Sequence, residues 1–145
     1  MTLLFLPMIA TVNKKSEGSV CMNSDHTASQ ESLRNSIIDM AVEAWRFGKV
    51  FEKVLQKLDA LDQKKYISQY NWFFKKVGNA LENAGLRIVN VEGQIYDIGM
   101  AVTPINLNEF ATDDTLVIEL MIEPIIMDTG SVVKTGTVLL NKWEG

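Results

Sequence analysis

The chain has 145 residues but a single cysteine, Cys21, and a single histidine, His26. One thiol cannot form an internal disulfide, and the simple expectation is a reducing, cytoplasmic setting. One cysteine and one histidine also supply too few soft ligands for a zinc site, so neither a metal nor another cofactor is expected. Long hydrophobic runs are missing: residues 3–12 are apolar, but that is only about half the length needed to span a bilayer. Nor does a basic residue precede that run, as a secretory signal would require; Lys14 and Lys15 follow it instead. No membrane attachment is expected. Excess positive charge is absent as well. A net charge of −4 argues against nucleic acid as a partner, because phosphate binding needs a basic footprint.

What is present is a core-forming composition, with 47% apolar residues, enough for one domain or two small modules sharing a core. Charge is unevenly spread. Residues 29–85 carry nine Lys/Arg against seven Asp/Glu, whereas residues 86–145 carry three against nine. If the acidic C-terminal part is a binding surface, its partner should be basic or neutral.

Residues 1–28 are expected to be a poorly ordered leader and polar linker, with Met22 an alternative first residue. Ser29 is a good helix N-cap. From there Leu33, Ile37, Met40, Ala44, Phe47, Phe51, Val54, Leu58 and Leu61 recur at alternating four- and three-residue spacing, which predicts a coiled-coil or bundle seam. Ile38, Ala41, Gly48 and Leu55 widen the stripe. Asp62-Gln63-Lys64-Lys65 breaks the register, and a second helix is expected over residues 66–84 with seam residues Ile67, Tyr70, Phe74, Val77 and Leu81. Gly85 is the expected stop. So short a break makes an antiparallel hairpin, and two hairpins from two copies would close a four-helix bundle. The homodimer would be held by Ile37, Met40, Ala44, Phe47, Phe51, Val54 and Leu58 from the first helix, with Tyr70, Phe74 and Val77 from the second. The aromatics Tyr66, Tyr70, Trp72, Phe73 and Phe74 stand beside Lys64, Lys65, Lys75 and Lys76, but at helical spacing in an acidic protein they read as core beside a solvated face, not as a nucleic-acid site.

Residues 86–145 change character. The segment 86–91 alternates and reads as a strand, and Gly93 turns it. Residues 106–115 form a loop with Asp113-Asp114 as its turn. Residues 116–127 form a strand pair broken near Pro124, residues 128–130 a turn, and residues 132–140 one closing strand. The predicted fold is therefore α+β: an N-terminal antiparallel helical hairpin, residues 29–85, that becomes a four-helix bundle on dimerisation, followed by a small C-terminal β domain, residues 86–145.

No catalytic constellation stands out. Glu119 and Glu123, or Asp113 and Asp114, could share a face, but carboxylates at strands and turns are usually solvated, and no nucleophile–base pair or phosphate loop accompanies them. An enzyme is not expected. The cadence Gly130-Ser131-Val132-Val133-Lys134-Thr135-Gly136 also suits a barrel-sandwich carrier or adaptor, although a carrier lysine would need a hairpin tip of a different form. A plain dimeric scaffold is the further alternative.

The order of these parts resembles the GrpE family, the nucleotide exchange factors of DnaK-type chaperones. Leu81-Glu82-Asn83-Ala84-Gly85-Leu86-Arg87-Ile88 is similar to that family's exit from its bundle. Gly93 with Tyr96-Asp97 is similar to its entry to the β domain. Gly130-Ser131-Val132-Val133-Lys134 and Thr135-Gly136-Thr137-Val138-Leu139-Leu140 fall on its last strands. There are departures: Ile98-Gly99-Met100-Ala101-Val102 is two residues shorter than the family segment and lacks its histidine. Pro124-Ile125-Ile126 replaces a Lys-Gly-Tyr turn, Ser131 replaces an arginine, and residues 1–28 leave no room for the family's long helical stalk. The resemblance implies a co-chaperone that binds the nucleotide-binding domain of a DnaK-like chaperone and promotes ADP release. It implies partner contacts through Ile122, Ser131 and Leu140, with Met100 and Lys134 as neighbours.

Overall fold

The computed structural model describes residues 6–145, with side-chain surroundings from Ser24 onward. The fold is α+β, two helices followed by a small β domain. By contacts the chain divides into two units, Met1–Ser36 and Ile37–Gly145.

The first helix, α1, spans Leu6–Leu55, so residues 6–28 are helical where a linker is expected, and Ser29 lies inside the helix instead of capping it. The first five residues of the expected leader lie outside the described residues. Helix continuation costs little once a turn exists, since each added residue gains a hydrogen bond, and polarity alone does not stop it. Within the first unit the side chains 24–36 are all exposed. The Thr27 hydroxyl donates to the Ser24 carbonyl at 3.2 Å and that of Ser36 to the Ser32 carbonyl at 3.0 Å. These hydroxyls therefore bond within the helix itself.

In the second unit α1 ends earlier than the seam predicts. Lys57 and Leu58 donate to the carbonyls of Val54 and Leu55, closing the helix with tight turns, so Leu58 sits in the connection. The break falls at 56–59, not 62–65. Asp59 is extended, at φ −66° and ψ 164°. Its carboxylate accepts from the amides of Leu61 and Asp62 at 3.0 Å each and starts α2, Ala60–Asn83. A carboxylate cap also favours the positive end of the helix dipole, which is why the start moves ahead of the lysines. The end of α2 follows expectation. Gly85 adopts φ +70°, in the left-handed region that stops a helix. Its amide reaches the Glu82 carbonyl at 2.9 Å while that of Leu86 reaches back to Leu81 at 2.8 Å. Leu81 and Leu86 are both buried in one cluster, the apolar contact that accompanies this stop.

Six strands follow: β1 Arg87–Val89, β2 Val102–Pro104, β3 Leu116–Glu123, β4 Ile125–Met127, β5 Val132–Lys134 and β6 Gly136–Lys142. They form two three-stranded sheets, ordered β1-β4-β5 and β2-β6-β3. The expected break at Pro124 carries the chain from β3 in one sheet to β4 in the other. The expected single closing strand 132–140 is in fact two. The chain crosses back between β5 and β6, where Gly136 packs under Met121 and Ile125 with no room for a Cβ. All pairings are antiparallel except β2 with β6, which is parallel. Asn106 extends that parallel pair with its side chain: its amide donates to the Leu140 carbonyl at 3.0 Å and its oxygen accepts from the Leu140 amide at 2.9 Å.

The core has two parts. One holds Trp45 of α1 with Leu116, Ile118, Met121, Val138 and Leu140 of the β2-β6-β3 sheet. The other holds Ile38, Ala41 and Val42 of α1 with Leu81, Leu86 and Ile126. Ile88 packs against both. The helices approach closely at Gly48, where an added Cβ would lie 2.2 Å from Cζ of Phe74.

Candidate interaction surfaces

The widened apolar stripe of α1 divides by destination. Ile38, Ala41, Val42, Trp45 and Leu55 are buried within the chain. The heptad positions expected to face a second copy are left outside: Met40 is 73%, Phe47 61% and Val54 46% exposed. Ile37, Ala44, Phe51, Tyr70, Phe74 and Val77 are half-buried beside them, and Leu58 is half-buried in the connection. Two adjoining concavities follow this face. One, of about 340 Å³, is lined by Ile37, Met40, Ala44, Phe73, Val77 and Ala80 among others. The second, of about 270 Å³, is lined by Phe47, Phe51, Gln69, Tyr70, Trp72, Phe73 and Phe74. Phe73 lines both, so the two adjoin in one apolar trough, and apart from Gln69 the lining is aromatic and aliphatic. A row of rings, Phe47, Phe51, Tyr70 and Phe74, forms its wall, with successive centroids 6.0, 6.1 and 4.8 Å apart. Those spacings lie in the range of favourable ring–ring contact.

Behind the trough, α1 is locked to the β domain. The indole of Trp45 donates to the Met121 carbonyl at 2.9 Å. The Met121 amide donates to Glu92 at 2.8 Å, and the other Glu92 oxygen takes Lys49 at 2.8 Å. Lys49 also lies 4.8 Å over the Trp45 ring, a cation–π contact. These groups close a ring around one residue of β3, at a point where register shifts interrupt the β3–β6 ladder. The string continues to α2, because Glu52 pairs with Lys49 at 3.5 Å and accepts the hydroxyl proton of Tyr70. Burial first, and then that bond to Glu52, push the Tyr70 phenol well above its ordinary range.

A second junction centres on Glu123, at the end of β3. It pairs with Arg46 of α1, with Lys134 of β5 at 3.3 Å, and accepts from the Thr137 hydroxyl at 3.2 Å. Burial alone would raise its carboxyl, but Lys134, Thr137 and Arg46 together hold it below the ordinary value.

The residues expected to touch a partner therefore have separate fates. Leu140 is 2% exposed and packs in the core, so its side chain presents nothing to a partner; this corrects its place among the contacts. Lys134 is engaged by Glu123. Ser131 is exposed in the turn, its hydroxyl and amide both donating to Asp128, at 3.0 and 2.9 Å. Ile122 is half-buried on β3, and Met100 is half-buried against the core. Lys134, at the end of β5, meets Glu123 at the end of β3 beside Ile122, whereas Ser131 lies at the other end of the β4–β5 hairpin, in the turn with Asp128, and Met100 lies ahead of β2. A carrier lysine is also disfavoured at position 134, since a modified lysine must stand free at a hairpin tip.

Sequence reading missed Trp45, Lys49, Glu92 and Asn106. Trp45 and Lys49 stand four apart on one helix face, a legible signal; the partners Met121 and Glu92 are set by tertiary pairing and have no local signature. No group of three or more metal-ligating side chains occurs among the described residues, and no described helix is long and apolar enough to cross a membrane. Comparison with family models, with curated proteins and with solved structures finds no match for this chain.

Proposed function

We propose that the chain is a homodimeric co-chaperone that binds the nucleotide-binding domain of a DnaK-like chaperone and speeds ADP release. The observation that carries this reading is the uncovered apolar trough on a helical hairpin that is itself clamped to a small β domain. A second copy seated on the trough would bury Met40, Phe47 and Val54 and make a four-helix bundle, the arrangement that stabilises such a stripe. The clamp through Trp45, Glu92 and Lys49 would then hold each β domain at a fixed attitude to that bundle. Exchange needs no chemistry from this chain. A factor that prefers the open cleft of its chaperone shifts the equilibrium by its differential affinity alone, and nucleotide leaves faster. Ile122 at the end of β3 and Ser131 in the β4–β5 turn are the residues offered to the chaperone.

The test is release of fluorescent ADP from the purified DnaK-type chaperone of the same host, with and without the full chain. Acceleration that saturates with added protein, and fails in an Ile122→Asp variant that stays folded, is the expected result. Unchanged release in the presence of folded, dimeric protein would sink the proposal. Dimerisation is read separately by sedimentation.

A further inference from the structure

The opposite end of the β domain carries a second exposed feature. Asp97, Ile98, Gly99 and Met100 form a closed turn. The Met100 amide donates to the Asp97 carbonyl at 3.0 Å, and the Gly99 amide to the Asp97 carboxylate at 2.7 Å. An aspartate that bonds the backbone two residues on is the usual lock of such a turn. Ile98 stands at its tip, 90% exposed. Burying an isoleucine is favourable and leaving it in water is not, so a rigid turn that displays one is a preformed anchor. Ile95, 46% exposed, and Leu107, 43% exposed, join it around a concavity of about 380 Å³ floored by Tyr96 and Leu116. The walls are fixed. Gln94 and Tyr96 bond along the edge of β3 to Ile118 and Leu116, and the turn at 111–114 is closed by Asp114.

The rim is acidic. Asp97 and Asp114 line the concavity, Glu109 and Asp113 are exposed on the segment that walls it, and residues 93–116 hold no Lys or Arg. Lys142 reaches in from β6, but it is paired with Asp114 at 3.0 Å. Charge therefore chooses among occupants. A second copy placed here would bring two acidic rims together, a like-charge contact that opposes association. Nucleic acid and anionic lipid would be repelled for the same reason.

We propose that this concavity docks a partner protein segment in which an apolar side chain stands beside Lys or Arg. The apolar group packs against Ile95, Ile98 and Leu107, and the cation meets the rim of Asp97, Glu109 and Asp113. The site is separate from the end of β3 that holds Ile122, because Leu116 and Glu123 are the two opposite ends of β3. An extended strand rises about 3.3 Å per residue, so those two ends stand roughly 23 Å apart. The proposal stands whether or not the exchange-factor reading holds.

The experiment is a methyl NMR titration of the full chain with the capped tripeptide Lys-Leu-Lys, and with Glu-Leu-Glu and Lys-Ser-Lys as controls. Saturable shifts at the methyls of Ile95, Ile98 and Leu107 are expected for Lys-Leu-Lys alone, weakening as salt shortens the Debye length. Ile98→Ser should cost roughly tenfold or more in affinity without loss of fold, because the side chain has almost no neighbours to lose. Glu109→Gln with Asp113→Asn should weaken binding at low salt and remove its salt dependence. Equal affinity for Glu-Leu-Glu, shifts confined to the helical trough, absence of saturation, or preferential binding to anionic vesicles of phosphatidylserine would each overturn the proposal.

Discussion

Gly48 offers the sharpest test of the helix packing. On an exposed helix face, glycine to alanine stabilises by about 0.5–1 kcal/mol, because alanine loses less backbone freedom. At Gly48 the added Cβ would lie 2.2 Å from Cζ and 2.6 Å from Cε2 of Phe74. The ring cannot step aside freely, being held 4.8 Å from Tyr70 and edge-on to Phe73 at 5.3 Å. Overpacking of this kind costs about 1–3 kcal/mol, so the steric term outweighs the propensity gain and Gly48→Ala should lose about 1–2 kcal/mol net. Gly78 of α2 is the internal control, since nothing lies within 4 Å of where its Cβ would stand. Gly78→Ala should therefore gain about 0.5–1 kcal/mol. Urea unfolding followed by circular dichroism, at one fixed protein concentration, measures both. Phe74→Leu should relieve the clash, making the double variant with Gly48→Ala less unstable than the sum of the single changes. A Gly48→Ala variant as stable as Gly78→Ala would refute the close approach, and with it the position of the trough.

Phe47→Lys places a charge in the trough at a residue the single chain leaves exposed, so on the proposed dimer sedimentation should show the variant as monomer, with the unfolding midpoint of the monomer little changed. Asn106→Ala strips both partners from the backbone of Leu140, which should cost about 1–3 kcal/mol in chemical denaturation. The depressed carboxyl of Glu123 contributes stability that is present above its ordinary value of 4.5 and is lost as pH falls through the lower folded-state value. Glu123→Gln should therefore flatten the acid side of the stability profile, measured by melts from neutral to acidic pH, and a profile unchanged in slope would contradict the Lys134–Glu123–Arg46 junction.

Local signals located the elements that local chemistry decides. The stop at Gly85, the break at Pro124 and the turns at 113–114 and 128–130 each follow from residues within reach of one another. The start of α2 was misplaced because the charged run 62–65 looked like a break, while the decisive carboxylate was Asp59, three residues earlier. Residues 6–28 are helical where polarity reads as a linker. The split of 132–140 was illegible for another reason. Only Thr135 lies between β5 and β6, and only their different partners, β4 for one and β2 with β3 for the other, separate them. The surfaces were legible in part. Heptad spacing located Met40, Phe47 and Val54 on α1, but the sequence could not say which half of the stripe the chain would bury itself. Leu140 shows the limit of carrying a contact over by position, since Ile118 opposite it and Asn106 beside it hold it inside.

The double crossing between the sheets has a consequence for how the domain opens. β3 runs into β4 and β5 into β6, so one bent ribbon supplies strands to both sheets, and neither sheet owns a complete set of its own. Fraying cannot be confined to one of them: releasing β4 from β1 pulls on β3, and releasing β6 frees β5. Amide hydrogen exchange should accordingly find the slowest protons of Ile126 and Val138 leaving through the same opening event, as a single cooperative unit.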